Sequence, residues 1–509
     1  MANRCDKPKS DSLRRRFAAT GQIRAMCWGL LGVQVVWGLQ NVNTSRIFQT
    51  LGAELSELPA LWMAAPVTGL LVQPVVGYLS DHTRSPLGRR RPYMIAGAIL
   101  TALSLGMMAG AATLWQAVAG LWMLTASVNI VMHPFRSLIA DNLDTEQRNA
   151  GYAIQVVFIG AGAVFASALP WMLANWFGVA NDGAAGALPR SLKMAFEIGA
   201  VVLLVTVAWS VFRAKDSNDP GTEFSAAADR PHAAAGEAAA SPHDGPAVRS
   251  GIVWLAGGGL VAGVAALAGT PRETYLIAAI AAAFGLAQVF AALRLKGGGA
   301  NAGLLDIIVD IVRMPVAMKR LAIVQFFTWF GMFAMWVYAV PAITARHFSA
   351  AGALAGDYNA GANWVGVLFA LYDGVAIFVA LLLSGVCARI GLRLTYGVCL
   401  AIGGGGVLSL ILIEDPAILW LSSVGIGVAW AAILSIPYTI VANAAPADKV
   451  GVYMGIHNIF LVVPQLVGAS ALGVAMDRLF SGQASYAIVL AALSLLCAAA
   501  ITLAIPRQA

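Results

Sequence analysis

Ionisable side chains inside apolar runs are the first candidates for chemistry in this 509-residue chain, because a charge within a membrane is costly and usually functional. Asp141 ends one apolar run beside Arg136, and a carboxylate that pairs with an arginine only when deprotonated forms a switch. Asp373 lies near the middle of a later run, and His457 lies deep within another. All four residues are predicted to act in proton coupling. The alternatives are a helix-capping charge pair, an interhelical polar contact and a packed histidine ring, respectively.

A second set of side chains could bind a ligand that has both hydroxyl groups and apolar surface. Planar amides pair with hydroxyl groups, and an aromatic face covers an apolar C–H surface. The predicted substrate-binding residues are Gln34, Trp37, Gln40, Asn41, Gln73, Gln155, Gln325, Trp329, Tyr372, Asn458 and Gln465, with Trp336 and Trp430 as further aromatic faces. For each aromatic residue the alternative is a membrane-interface anchor or a helix-packing contact.

Membrane-spanning helices must position these residues. The chain is 59% hydrophobic and only 11% charged, whereas about a quarter of the residues in an ordinary soluble domain are charged. Backbone amides in a bilayer are paired within helices or a closed barrel, and apolar runs of about 20 residues without alternation favour helices. The sequence therefore predicts an all-α, polytopic membrane protein.

Fourteen apolar runs are long enough to cross the bilayer. They divide the chain into two six-helix bundles, with a flexible linker and an additional helix pair between them. The predicted spans are 24–43, 59–80, 93–112, 115–139, 150–174 and 194–212, then 251–268 and 275–294, and finally 320–340, 363–387, 393–412, 417–438, 452–475 and 485–505.

The segments outside the spans complete the predicted domain plan. Residues 1–23 form a cytoplasmic tail, and the first bundle covers 24–213. A flexible cytoplasmic linker over 214–250, rich in Ala, Pro, Asp, Ser and Gly, leads to the additional pair at 251–295. Residues 296–318 contain a short amphipathic helix, Leu304 to Arg313, predicted to lie on the cytoplasmic interface. The second bundle covers 319–505.

Basic residues give the predicted helices an orientation. When loops are assigned alternately from an inside N-terminus, the outside loops receive only six of the 32 Lys and Arg residues, as expected if cytoplasmic loops hold the excess. The six are Arg46, Arg190, Lys193, Arg272, Arg346 and Arg478. Both termini are therefore predicted to be cytoplasmic, and the net charge of +7 indicates topology rather than a nucleic-acid partner.

The most specific motif is the turn between the second and third spans, GYLSDHTRSPLGRRRP at 77–92. Its glycines permit close helix approach, its aspartate can accept hydrogen bonds from a neighbouring helix end, and its arginines anchor the loop at the membrane surface. The alternative is a purely topological anchor. The predicted conformational gating residues are Gly77, Asp81, Gly88, Arg89, Arg90 and Arg91.

This motif resembles the loop motif of the major facilitator superfamily, and its longer form is similar to that of the sucrose transporter group. Further matching segments are 33–40, 69–78, 134–141, 452–458 and 463–465. The resemblance implies two six-helix bundles that rock about a central site, and it maps Asp141 onto the aspartate used for proton coupling. The family usually has twelve spans, so the additional pair departs from its pattern.

The resemblance also implies a function. It indicates proton-coupled import of a disaccharide or other glucoside, such as sucrose or maltose, through a bacterial plasma membrane, with the proton gradient as energy source and no cofactor. The expected partners are the sugar, a proton and the lipid bilayer, and the expected state is a monomer. The alternative is an uncoupled facilitator or a sugar exporter of the same fold.

Other classes of protein are disfavoured by what the sequence lacks. No nucleotide-binding loop of the Gly-Lys-Ser/Thr type occurs, and no soluble segment is long enough to hold an ATPase. The five cysteines have no spacing typical of a metal site, so no metal is predicted. The predicted outside loops are short and poor in acids and histidines, so the chain is not expected to be an enzyme.

Overall fold

A computed structural model of the chain describes residues 8–83, 85–142, 145–183, 186–213, 248–267, 269, 275–296, 304–348, 357–446 and 449–506. Within these ranges the side chains of 8–26, 81–82, 133, 136–142, 145–153, 294–296, 304–307 and 451 fall outside the description. The α-helices are α1 Pro8–Thr50, α2 Leu58–Leu61, α3 Ala64–His82, α4 Arg91–Ala109, α5 Leu114–Asn142, α6 Thr145–Asn175, α7 Arg190–Arg213, α8 Val248–Leu267, α9 Tyr275–Lys296, α10 Leu304–Arg313, α11 Val316–His347, α12 Tyr358–Ile390, α13 Leu392–Leu412, α14 Trp420–Ala444, α15 Val450–Arg478 and α16 Ala484–Thr502, with a 3₁₀ turn at Pro416–Ile418.

The predicted all-α membrane fold is confirmed. Thirteen helical segments of the described residues are long and apolar enough to cross a bilayer. The α1 helix, which contains the predicted first span, brings the number to fourteen. Hydrocarbon cannot hydrogen-bond the backbone, so such apolar runs satisfy their amides within the helix.

Two helical bundles pack against each other. In the first bundle α1 lies against α5, α6 and α7, and α3 and α4 pack on α5. In the second bundle α11 lies against α12, α15 and α16, and α13 packs between α14 and α16. The bundles meet where α1 contacts α11 and α12, where α6 contacts α12 and where α3 contacts α15.

The two ends of the membrane region differ in how the bundles meet. We name the end that carries Arg89 to Arg91 the basic end and the other the closed end. At the closed end, the Ser45 hydroxyl donates to the Val337 carbonyl at 2.7 Å. The Tyr338 hydroxyl donates to the carbonyl of Leu55 at 3.0 Å. These two hydrogen bonds join the first bundle to α11 and hold this end shut.

Three residues form a partly accessible stripe on α1. Gln34, Trp37 and Asn41 are only partly buried, although α1 is surrounded by helices of both bundles. Spacings of three and four residues place them on one helix face. This face is therefore the partly accessible side of α1 near the second bundle.

Close backbone approach at Gly366 is part of the closed end. A Cβ atom at Gly366 on α12 would lie 2.4 Å from the Ser167 carbonyl oxygen on α6. We expect Gly366→Ala to push the bundles apart, because overpacking costs about 1–3 kcal/mol and here opposes only the closed arrangement. Spin labels at positions 176 and 357 should report a longer closed-end distance.

The matched control for this prediction lies on the same interface. A Cβ atom at Gly374 would meet Val164 at 3.7 Å, an ordinary contact, so Gly374→Ala should leave the distance distribution unchanged. Identical distributions for the two variants and the parent protein would contradict the prediction.

The additional pair α8 and α9 forms a tight hairpin beside the second bundle. Gly251 and Gly258 of α8 approach the α9 backbone so closely that a Cβ atom would lie 2.8 Å or less from a neighbouring atom. The pair reaches the bundle through α15, which α9 and α10 both contact. Lys449, just before α15, forms an ion pair of 2.6 Å with the buried Asp310 of α10.

Candidate functional site

Three tryptophans and a tyrosine form an aromatic cluster in the second bundle. Trp329 and Trp336 lie two turns apart on α11, so both side chains project from one face. Their ring centroids lie 6.1 and 5.6 Å from that of Trp430 on α14, and Tyr372 of α12 lies 6.5 Å from Trp430. The ring planes in these pairs are close to perpendicular, so the four rings present their faces in different directions.

Asp373 lies beside this cluster. Its carboxyl group lies near the indole of Trp430. The side chain is half-buried, and within the described chain no basic residue forms an ion pair with it. The carboxyl group is therefore an acceptor set among aromatic rings, an arrangement suited to ligand hydroxyl groups.

Donors without partners surround the same space. The indole nitrogens Nε1 of Trp329 and Trp336 are buried, and no hydrogen-bond acceptor reaches them among the residues described. Buried polar groups are nearly always paired, so such donors are suited to ligand oxygens. The cluster thus offers donors from α11, an acceptor from α12 and a ring face from α14.

The first bundle presents amides and one more indole. Trp37 Nε1 and both amide atoms of the buried Gln40 lack partners in the described structure, as does Gln155 Oε1 on α6. Gln34 packs against Gly162 of α6. With Asn41, these residues belong to α1 and α6, the helices of the first bundle that face α11 and α12.

Other predicted sugar ligands make contacts elsewhere. Gln73 donates to Asn129 at 2.7 Å between α3 and α5, and Gln325 accepts from Tyr396 at 2.7 Å between α11 and α13. Gln465 donates to the Leu461 carbonyl one turn earlier, and Asn458 is exposed. Their role in substrate binding stays a prediction.

His457 is placed away from the aromatic cluster. Its buried ring packs against Tyr438 of α14 at 4.8 Å and against Phe460 at 6.0 Å. Tyr438 is eight residues beyond Trp430, a rise of about 12 Å along the helix. His457 is therefore about two turns nearer the basic end than Asp373, and the two side chains are not neighbours.

Residues 85–88 of the predicted gating loop form a tight turn. Gly88 has φ of +96°, a conformation that favours glycine, and its N–H donates to the Ser85 carbonyl at 3.0 Å. Gly77 and Arg90 are buried, whereas Arg89 and Arg91 are half-buried. The side chains of three predicted residues lie outside the described part of the chain, namely Asp81, Arg136 and Asp141.

Arg46 is a buried residue that the sequence reasoning placed in an outside loop. The α1 helix continues to Thr50, and Gly52 with φ of +95° follows, so Arg46 lies within the helix with no solvent exposure. Glycine after a helix is a frequent stop signal, and no such signal occurs between Asn41 and Arg46. The first glycine after Asn41 is Gly52, and its position could have extended the predicted helix past Arg46.

Sequence comparisons identify relatives along the whole chain. The pattern of the Major Facilitator Superfamily matches residues 26–469. Sucrose transport protein SUC3 of Arabidopsis thaliana is 24% identical, with 99% of this chain and 90% of the relative covered. General alpha-glucoside permease of Schizosaccharomyces pombe is 30% identical over 33% of each chain.

Solved structures share the fold. The POT family transporter PepTSo superposes with a TM-score of 0.67 at 12% identity, covering 95% of this chain and 97% of its own. The nucleoside transporter NupG superposes with a TM-score of 0.60 at 11% identity, covering 95% of this chain and 99% of its own. At such identities the likeness concerns the fold alone.

Proposed function

Because the chain belongs to the Major Facilitator Superfamily, a family of transporters rather than enzymes, we propose that it carries a disaccharide or another small glucoside across the membrane by alternating access. The aromatic cluster with Asp373 is the observation that carries this proposal. The names of the relatives, a sucrose transport protein and an alpha-glucoside permease, support the substrate class.

The proposed sugar position is between the two bundles. Trp430 covers the apolar face of one ring, Asp373 accepts hydrogen bonds from its hydroxyls, and the indole N–H groups of Trp329 and Trp336 donate to ring or glycosidic oxygens. Gln40 and Trp37 contribute from α1. A ligand held by both bundles changes its contacts when they rotate, which is how binding is linked to rocking.

We propose that the basic end faces the cytoplasm, because positively charged loops stay on that side. In that orientation the hydrogen bonds between the bundles close the outward side, as expected of the state from which an imported sugar leaves, in a plasma membrane with both termini inside.

We propose proton coupling as the source of energy. One proton moving down about 100 mV releases roughly 2.3 kcal/mol, which supports on the order of 50-fold accumulation of a neutral solute at one-to-one coupling. Asp141 and Arg136 are the proposed coupling pair, from the motif at 134–141. Asp373, within the sugar site, is the second candidate, and His457 the third.

Proteoliposomes containing a pH-sensitive dye test the function. Addition of sucrose, maltose and other glucosides should produce sugar-dependent proton uptake, and a proton ionophore should abolish accumulation. Sugar flux that is unaffected by the ionophore would indicate an uncoupled facilitator, and absence of flux for the whole panel would contradict the substrate class.

Asp141→Asn is expected to separate coupling from binding. The neutral side chain cannot alternate between charged and uncharged forms, so sugar accumulation and its dependence on pH should disappear. Counterflow exchange of labelled sugar, which needs no net proton movement, should persist. Asp182→Asn, in the connection between α6 and α7, is the control and should behave as the parent protein. Intact pH-dependent accumulation in Asp141→Asn would contradict the role assigned to Asp141.

A further inference from the structure

A fully buried arginine at the closed end is held by neutral amides. Arg46 Nη1 donates to Asn363 Oδ1 at 2.7 Å, and its Nη2 and Nε donate to Asn359 Oδ1 at 2.9 and 3.2 Å. Nη2 also donates to Asn181 Oδ1 at 3.2 Å. In the described part of the chain no carboxylate forms an ion pair with this guanidinium.

The bonds of Arg46 cross between the two bundles. Arg46 belongs to α1, whereas Asn359 and Asn363 lie one turn apart on α12 and so share a face. Asn181 belongs to the first bundle and also accepts from the Ser191 hydroxyl at 2.8 Å, which fixes its orientation. Asn181 thus positions the guanidinium, and the two asparagines of α12 join it to the other bundle.

Other bundle-crossing bonds flank Arg46 on α1. Ser45 bonds to Val337 of α11, and Gln49 accepts from the Tyr358 hydroxyl at 2.8 Å. These contacts converge on one level of the membrane, so they must separate together when the closed end opens. Among Ser45, Arg46 and Gln49, Arg46 makes the most of these hydrogen bonds and is the only charged residue.

The choice of amides has a physical consequence. A buried charge without a counterion retains a desolvation cost that neutral hydrogen bonds only partly offset, whereas a carboxylate partner would bind it far more strongly. When the closed end opens, water replaces the amides around the guanidinium. The contact is therefore strong enough to hold the bundles and weak enough to release them.

We propose that Arg46, with Asn359 and Asn363, is the releasable latch of the closed end and sets the balance between the two open states of the transporter. This role goes beyond substrate binding and proton coupling, because it lies at the closed end and not among the aromatic residues. Arg46 positions the two bundles at the closed end and does not contact the sugar.

Thiol labelling from each side of the membrane tests the latch. The full chain without its native cysteines, carrying Asn41→Cys as reporter, is reconstituted in vesicles of known orientation, and an impermeant maleimide is added to one side. We expect Arg46→Gln to raise the labelling rate from the closed end by about 10-fold or more and to lower the rate from the basic end, because bonds to a charged group are lost. Arg346→Gln, which removes an exposed charge at the same end, is the matched control and should leave both rates unchanged.

A second variant moves the balance in the opposite direction. Asn363→Asp supplies the missing carboxylate, so we expect labelling from the closed end to fall by about 10-fold. In a chain that retains Asn41, transport should slow while sugar binding from the basic end is retained. A residue needed only for folding would not give opposite shifts in the two variants. Unchanged rates, or equal shifts on both sides in either variant, would overturn the proposal, and neither result depends on which sugar is carried.

Discussion

The Asp373→Asn variant should bind its sugar about 10- to 100-fold more weakly than the parent protein. In its deprotonated form the carboxyl group accepts charge-assisted hydrogen bonds from hydroxyl groups, which contribute about 1.5–3 kcal/mol each, whereas an amide offers one weaker acceptor oxygen. Among the described side chains no basic residue forms an ion pair with Asp373, so the substitution leaves no buried cation behind. Titration calorimetry or counterflow half-saturation would measure the change.

The control for Asp373 lies at the start of the same helix. Asp357 precedes α12 at the closed end and is exposed, so Asp357→Asn should leave the sugar affinity unchanged. Asp373→Glu retains the charge but displaces it by one methylene and should recover part of the affinity. A parental affinity in Asp373→Asn, with normal folding, would exclude this carboxylate from the sugar site.

Trp430→Ala is expected to raise the half-saturation concentration for sugar by on the order of 30- to 100-fold. Trp430 is the ring that contacts Trp329, Trp336 and Tyr372, and it interacts with Asp373. Its removal takes away the stacking face and a group beside the Asp373 carboxyl, and a 30- to 100-fold change corresponds to about 2–2.7 kcal/mol of binding free energy. Uptake measured over a range of sugar concentrations tests this.

Two variants separate stacking from general packing on α14. Trp430→Phe retains a ring and should lose only a small part of the affinity. Trp420 begins the same helix and is 48% exposed, so Trp420→Ala should transport sugar as the parent protein does. Equal losses in Trp420→Ala and Trp430→Ala would show that the effect concerns helix stability rather than the sugar site.

Much of the fold could be predicted from the sequence because hydrocarbon imposes a simple rule on it. Apolar runs of about 20 residues become helices in a bilayer, so the number of spans and the all-α class follow from composition. The short amphipathic helix was predicted over the residues of α10, since its charges and aliphatic side chains alternate with helical period.

The site was harder to predict from the sequence, because it depends on how each helix is rotated about its own axis. Spacing alone did not tell that Trp329 and Trp336 point toward Trp430, or that Gln325 points toward Tyr396. The functional assignments of the candidate residues stay predictions. Arg46 was placed in a loop because charge counting assumes that arginines lie outside spans, and this rule does not apply to a residue held by amides from both bundles.

The attachment of α8 and α9 to α15 has a consequence for motion in the bilayer. Only 17% of the apolar window of Val248–Leu267 is buried, so the hairpin presents a broad surface to lipid. A larger body in the bilayer meets more viscous drag. Because the hairpin is attached to the second bundle, it raises the drag on that bundle. The first bundle should therefore account for the larger share of the relative motion during each transport cycle.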